Sequence, residues 1–256
     1  MTSTTSTTST PTSTATSTAP VTPPPAPQLR LPGQAAAHPG PVDMTIMYLM
    51  HHAFRRDLKA FSEAVPVTPV DDREAWRALA RRWELFAEPL HHHHAGEDSW
   101  LWPALMEKVG PEERRTLEAM EAEHAEIDPG LAACAAGFRR LAETADPDAR
   151  AALAVRLTAV REALGRHLHH EESETILLMQ QVLTAAEWEE IDAHFKEGLS
   201  LGTLLNSVPW LMHQVPARAR GHVFARTGRA YRVLLAITRP RFERLHRTAF
   251  RYLPGA

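Results

Sequence analysis

The chain has a single cysteine, Cys134, so it cannot close an internal disulfide, and its fold must rest on packing, polar pairing or bound ions. Apolar residues nowhere run together long enough to span a bilayer. The start lacks the charged-then-apolar order of a secretory leader. Together these absences lead us to expect a cytoplasmic protein with reduced thiol chemistry. Charge is almost missing from residues 1–42, where Thr, Ser, Pro and Ala dominate and Arg30 is the lone charged side chain. Such a composition buries too little apolar surface to offset its ordering entropy, so a disordered tail is expected there. Acids are nearly missing from the other end. From residue 216 onward there are ten Arg and only Glu243, whereas residues 43–215 carry 17 Lys plus Arg against 30 Asp plus Glu. The expectation is a basic C-terminal segment docked on an acidic body. No nucleic-acid partner is expected, because the Arg spacing lacks interleaved stacking aromatics.

Histidine is the residue in excess: fifteen in all, ten of them between His51 and His170. Four amphipathic segments carry them. In the first, Asp43 caps MTIMYLMHHAFRRDLKAF, and Met47, Met50, Phe54, Leu58 and Phe61 form its apolar face. At 100° per residue His51 lies near that face, while His52 falls with Arg55, Arg56 and Lys59 toward solvent.

The second segment follows Asp71 and Asp72 and runs into LHHHHAGEDSWLWP, residues 90–103. Residues four apart share a helix face, so His93 pairs with Glu97 and His94 with Asp98. The upstream stripe Trp76, Leu79, Trp83, Phe86 and Leu90 continues through Glu97 to Leu101, which favours His93 and Glu97 and leaves His91 and His92 outside. The third segment opens at Pro111 and has the seam Leu117, Met120, His124, Ile127, Leu131, Cys134, Phe138, Leu141. Asp128 stands one turn beyond His124, and Pro129 and Gly130 are expected to bend the helix just after it. The fourth follows Asp146 and Pro147, with Leu153, Leu157, Val160, Leu164, His167, Glu171 and Leu178 on its seam; Glu172 lies off it, and His170 is placed outside with Glu174.

Short Pro- and Gly-containing connections between these segments describe an all-α protein, an antiparallel four-helix bundle over residues 43–183. An Arg-rich helical extension, 184–256, begins with a Thr184/Glu187 capping box and could mediate oligomerisation. Buried imidazoles and carboxylates need partners or metal to offset desolvation, so His51, His93, Glu97, His124, Asp128, His167 and Glu171 converging on one core argue for metal. Seven donors exceed the needs of one ion and suit two that share bridging carboxylates.

Residues 43–183 resemble a hemerythrin-type domain of the HHE cation-binding kind. The matching pieces are MHHAFRRDL, HHHHAGEDSWLWP, EAEHAEIDP and HLHHEESETILLM. The resemblance implies two non-haem iron ions inside the bundle, with manganese the alternative loading, bridged by Glu97 and by Glu171 or Asp128 and capped by the histidines. It implies a small ligand: oxygen, peroxide or nitric oxide. Oxygen-carrying hemerythrins are similar but have a second histidine one turn after the third-helix histidine, where this chain has Asp128. A carboxylate there makes the site more anionic, which lowers the reversible-carrier reading and raises a sensor or binding module. The enzyme alternative is a peroxidase, catalase or oxidase at the same centre. A ferritin-like site needs Glu-x-x-His steps on two helices; Glu121 with His124 is one, and the fourth helix has none before His167.

Overall fold

The computed structural model describes Met1 and residues 28–255, and every regular element among them is helical. The long helices are α1 (Thr45–Val67), α2 (Arg73–Gly96), α4 (Pro111–Glu143) and α5 (Pro147–His170); α3 is the short Trp102–Met106. α6 (Ile176–Val182) follows α5, and α7 (Ala185–Lys196), α8 (Leu201–Met212) and α9 (Ala217–Ala249) form the C-terminal part. Local chemistry starts α2, α4, α5 and α7 where the sequence leads one to expect, whereas Asp43 does not cap α1, whose N-cap is Met44 with no side-chain cap hydrogen bond. The Asp72 and Asp146 carboxylates accept from the amides of Ala75 (3.0 Å) and Ala149 (2.9 Å), and Pro111 and Pro147 open their helices. Thr184 and Glu187 make the reciprocal capping box.

Two single π-turns interrupt the long helices: Glu97–Leu101 follows α2, and Glu171–Thr175 follows α5. A π-turn inserts an extra residue into a helical repeat and is found mainly at functional positions. Here each begins on a carboxylate of the proposed metal set. Pro129 does not interrupt α4, which runs as one helix from residue 111 to 143.

α1, α2, α4 and α5 share an aromatic core built on Phe54, Phe61, Trp76, Trp83, Phe86 and Phe138. A second apolar cluster, with Met44, Tyr48, Leu101, Leu117, Met120 and Ile176, lies along the same helices. His51 falls between Tyr48 and Phe54 in α1, and His124 between Met120 and Ile127 in α4. The histidines thus form a polar layer between two apolar ones.

Residues 28–42, expected within a tail, instead pack as a strap; residues 2–27 lie outside the described residues. Leu29, Leu31, Ala37 and Val42 are buried, Gln180 clasps the Val42 backbone through both its amide N–H and its carbonyl oxygen, and the Ala35 amide donates to Glu172 at 2.7 Å. A few aliphatic anchors suffice to order a proline-rich segment when a surface awaits them.

The charge attraction expected between the Arg-rich end and the rest of the chain accounts for little. Arg226 pairs with Asp43, and Arg251 with Asp72 and Glu74; Arg239 pairs with Glu243 inside its own segment. The junction is held by a buried node. Asp57 accepts from Arg82 (2.8 Å), Arg56 (2.9 Å) and the Trp210 indole (2.8 Å), and Trp210 packs on Phe54. Burial would raise the Asp57 pKa, but the two guanidinium charges outweigh it and hold the carboxyl well below its usual range.

Candidate metal centre

Seven side chains meet in the polar layer as two adjoining groups: His94, His124 and His167, and His51, His93, Glu97 and Glu171, each with ligand atoms within 4.8 Å of one another. All seven are buried. Imidazole nitrogens approach in pairs, His51 Nε2 to His93 Nε2 at 3.3 Å and His124 Nε2 to His167 Nε2 at 3.2 Å. The two glutamates reach both groups. Glu97 has one oxygen 3.2 Å from His93 Nε2 and the other 3.6 Å from His124 Nε2; Glu171 Oε2 is 3.1 Å from His51 Nε2 and 3.9 Å from His167 Nε2. All four carboxylate oxygens are nevertheless without a hydrogen bond among the described residues, and both side chains have zero exposure.

Stripping water from two carboxylates costs several kcal/mol each unless something compensates. Protons show the demand for compensation. Burial, and then the neighbouring Glu171 charge, push Glu97 well above the usual carboxylate range. Burial alone would pull His51 down, but the Glu171 charge and the hydrogen bond to Glu172 outweigh it and raise it to about 9. Burial lowers His93 well below its ordinary value and His94 to about 4, leaving both as the neutral imidazoles that metal binding requires. The donor set fits divalent cations, which would replace the protons held by Glu97 and His51.

Behind the inward nitrogens stand outer carboxylates. The Nδ1–H of His51 donates to Glu172 (3.0 Å), that of His124 to Asp98 (2.8 Å) and that of His167 to Glu123 (2.9 Å). Such bonds select the tautomer that leaves Nε2 free and orient the ring. Glu172, with no exposure, is itself fixed by two hydrogen bonds from Arg55 and by the strap amide of Ala35. Asp98 and Glu172 both immediately follow the glutamates that start the π-turns, so in each turn one acid faces the imidazoles and the next reaches around to a histidine on another helix.

A family model described as the hemerythrin HHE cation-binding domain matches residues 43–176, just over half of the chain. The chain belongs to the hemerythrin HHE cation-binding family. No curated protein and no solved structure matched it. The HHE domain thus carries histidine and glutamate groups able to hold metal cations.

Six of the seven residues singled out in the sequence, His51, His93, Glu97, His124, His167 and Glu171, lie together in this HHE domain. Asp128 does not join them. Its side chain is 48% exposed and stands behind His94, 3.7 Å from Nδ1. The place it was expected to take is filled by His94, whose ring stacks on His124 at 3.9 Å and lies edge-on to His167. The apolar stripe favours His93 over its neighbour, yet both enter the core, one into each group. Consecutive residues are about 100° apart, so neighbours can face two ions on either side of a helix seam. The missed outer residues had a legible signal: His-x-x-x-Glu-acid occurs twice, as His93–Asp98 and His167–Glu172.

Proposed function

We propose that this protein is a non-haem di-iron binding module for a small oxidant, oxygen, peroxide or nitric oxide, built in the antiparallel four-helix bundle of its family and working in the cytoplasm. What carries the reading is the pair Glu97 and Glu171: fully buried, without hydrogen bonds, and each within reach of imidazoles from both groups. In this reading His94, His124 and His167 hold one ion, His51 and His93 the other, and the two glutamates are shared. Iron, when bound, supplies redox chemistry toward oxygen, peroxide or nitric oxide.

The chain does the rest. Glu172, Asp98 and Glu123 hold the imidazoles in one tautomer and orientation. Five imidazoles and two carboxylates would place two negative charges against two cations, and the apolar layers on either side exclude water. Three histidines would serve one ion and two the other, so with both glutamates shared the His51–His93 ion would have the fewer protein donors and the open position for an exogenous ligand. Asp128, exposed behind His94, adds no carboxylate to the donor set, so the anionic site that set a reversible carrier aside is not required.

Metal analysis after expression in iron-supplemented medium comes first. Close to two iron ions per chain are expected; a metal-free or manganese-only protein overturns the assignment. The reduced protein is then mixed anaerobically with oxygen and with peroxide in a stopped-flow spectrometer. A stable, reversible spectral change supports the binding module, whereas multiple turnovers assign the same centre to an oxidase, peroxidase or catalase.

A further inference from the structure

The C-terminal helices present a surface that the rest of the fold leaves uncovered. α9 is broken at Gly228, whose φ of 80° and ψ of −170° are not helical, and between residues 224 and 241 no side chain is fully buried. Beyond the break Val233 and Ile237, one turn apart, are 59% and 70% exposed; Leu201, Leu204 and Leu205, spaced i, i+3, i+4 on α8, are 69%, 39% and 37% exposed. Leu205 and Ile237 line one surface groove together with Arg241 and Arg244, so the two helices present aliphatic side chains to the same groove.

Along α9 the charge is mostly positive, with Glu243 its one acid. Of the ten arginines after residue 215, Arg226, Arg239 and Arg251 have a carboxylate within ion-pair distance, which leaves seven without one among the described residues. Arg229 and Arg244 fall on the same face as Val233 and Ile237 when residues are placed at 100° intervals. The opposite wall of the groove, from α2, carries Glu74, Glu84 and Glu88 beside Arg77 and Arg81, and Glu74 is paired with Arg251. The attraction therefore belongs to the α8–α9 side.

We propose that this α8–α9 patch docks on an anionic lipid surface, its aliphatic side chains entering the headgroup boundary while the flanking arginines meet lipid phosphates. Exposed aliphatics rimmed by arginine are the combination that interfacial helices use. Two other occupants fit less well. A nucleic acid offers the arginines a partner but nothing to the leucine, valine and isoleucine side chains. A second copy seated on this patch through twofold symmetry would bring arginine against arginine. No helix among the described residues is long and apolar enough to cross a membrane, so the contact is peripheral.

The test is flotation of the full chain with vesicles of phosphatidylglycerol or of phosphatidylcholine, at low and high salt. Binding to phosphatidylglycerol is expected to exceed binding to phosphatidylcholine by about tenfold or more and to weaken steeply with salt. Leu201→Ser/Leu205→Ser/Ile237→Ser and Arg229→Gln/Arg241→Gln/Arg244→Gln are each expected to lower it at least about tenfold. Helical content and metal content should stay unchanged, because these residues lie outside both apolar cores. Failure to bind phosphatidylglycerol, equal binding to both lipids, or unaltered binding by the aliphatic variant overturns the proposal. So does a dimer in light scattering that the aliphatic variant dissociates, which assigns the patch to a second copy.

Discussion

The α2 and α5 halves of the centre share a six-residue pattern and differ at positions inside it. Each has His-x-x-x-Glu, each enters a π-turn at that glutamate, and each follows it with an acid that fixes a histidine of another helix: Asp98 for His124, Glu172 for His51. The residue after the first histidine differs. In α2 it is His94, turned into the core; in α5 it is Leu168, equally buried but apolar. The residue before the glutamate differs too. Gly96 lies beneath the Phe195 ring, with room for no Cβ, whereas His170 is partly exposed and shares Glu123 with His167. One repeated local pattern thus yields two unequal groups, and the inequality comes from a single imidazole and from what covers each turn.

The glutamates should matter most and matter alike. Glu97→Ala and Glu171→Ala are each expected to reduce bound metal more than tenfold, since each would remove a donor that the proposed two-ion centre shares; retention of two ions in either variant breaks the parallel. His94→Leu copies the α5 residue into α2. Metal content should drop from two ions to one per chain, with the His51–His93 group still loaded, and loss of neither ion would remove the asymmetry. Next come the outer acids. Glu172→Gln should weaken metal binding by about 10- to 100-fold. Asp98→Asn should cost less, because Asp98 is about one-third exposed and lacks a counterpart to Arg55. Competition with a chelator measures both.

Gly96→Ala tests the coverings. A Cβ there would stand 2.6 Å from the Phe195 ring, and a cost of about 1–3 kcal/mol in urea unfolding is expected; His170→Ala should cost less. The smallest effect is expected from pH and concerns the layer that covers α2 but not α5. Burial, then the Arg56 charge, lowers His213 to about 3; burial, then the Arg82 charge, lowers His246 to about 4. Both are neutral in the folded chain at pH values where the unfolded chain, with an ordinary histidine pKa of 6.5, takes up protons. Stability is therefore present above about 6.5 and falls as pH drops toward 4. Thermal unfolding of His213→Gln/His246→Gln should show a shallower fall across that window than the parent.

Much of this was legible in the chain. Caps at Asp72, Asp146 and Thr184 and the seams of α4 and α5 are local or periodic features, and a helix displays them whatever it packs against. The same periodicity placed His51, His124 and His167 inward. It could not choose correctly between His93 and His94, because both point into the core from a seam that serves two groups. Asp128 has the right spacing from His124, yet spacing says nothing about which side of the helix the neighbours leave open. The strap was illegible for another reason: Leu29, Leu31 and Val42 have value only once the surface formed by α1, the Glu171–Thr175 turn and α6 exists.

By itself the sequence determined that this chain is helical, where its long helices begin, and that imidazoles and acids recur on their inner faces, because capping and apolar period act between residues a few positions apart. Only the tertiary structure decided that the acids after Glu97 and Glu171 brace histidines on other helices, that His94 rather than Asp128 joins the buried groups, and that the basic end leaves most of its arginines without a carboxylate partner among the described residues. Those outcomes depend on which faces four helices turn toward one another, a property of their packing that no single segment contains.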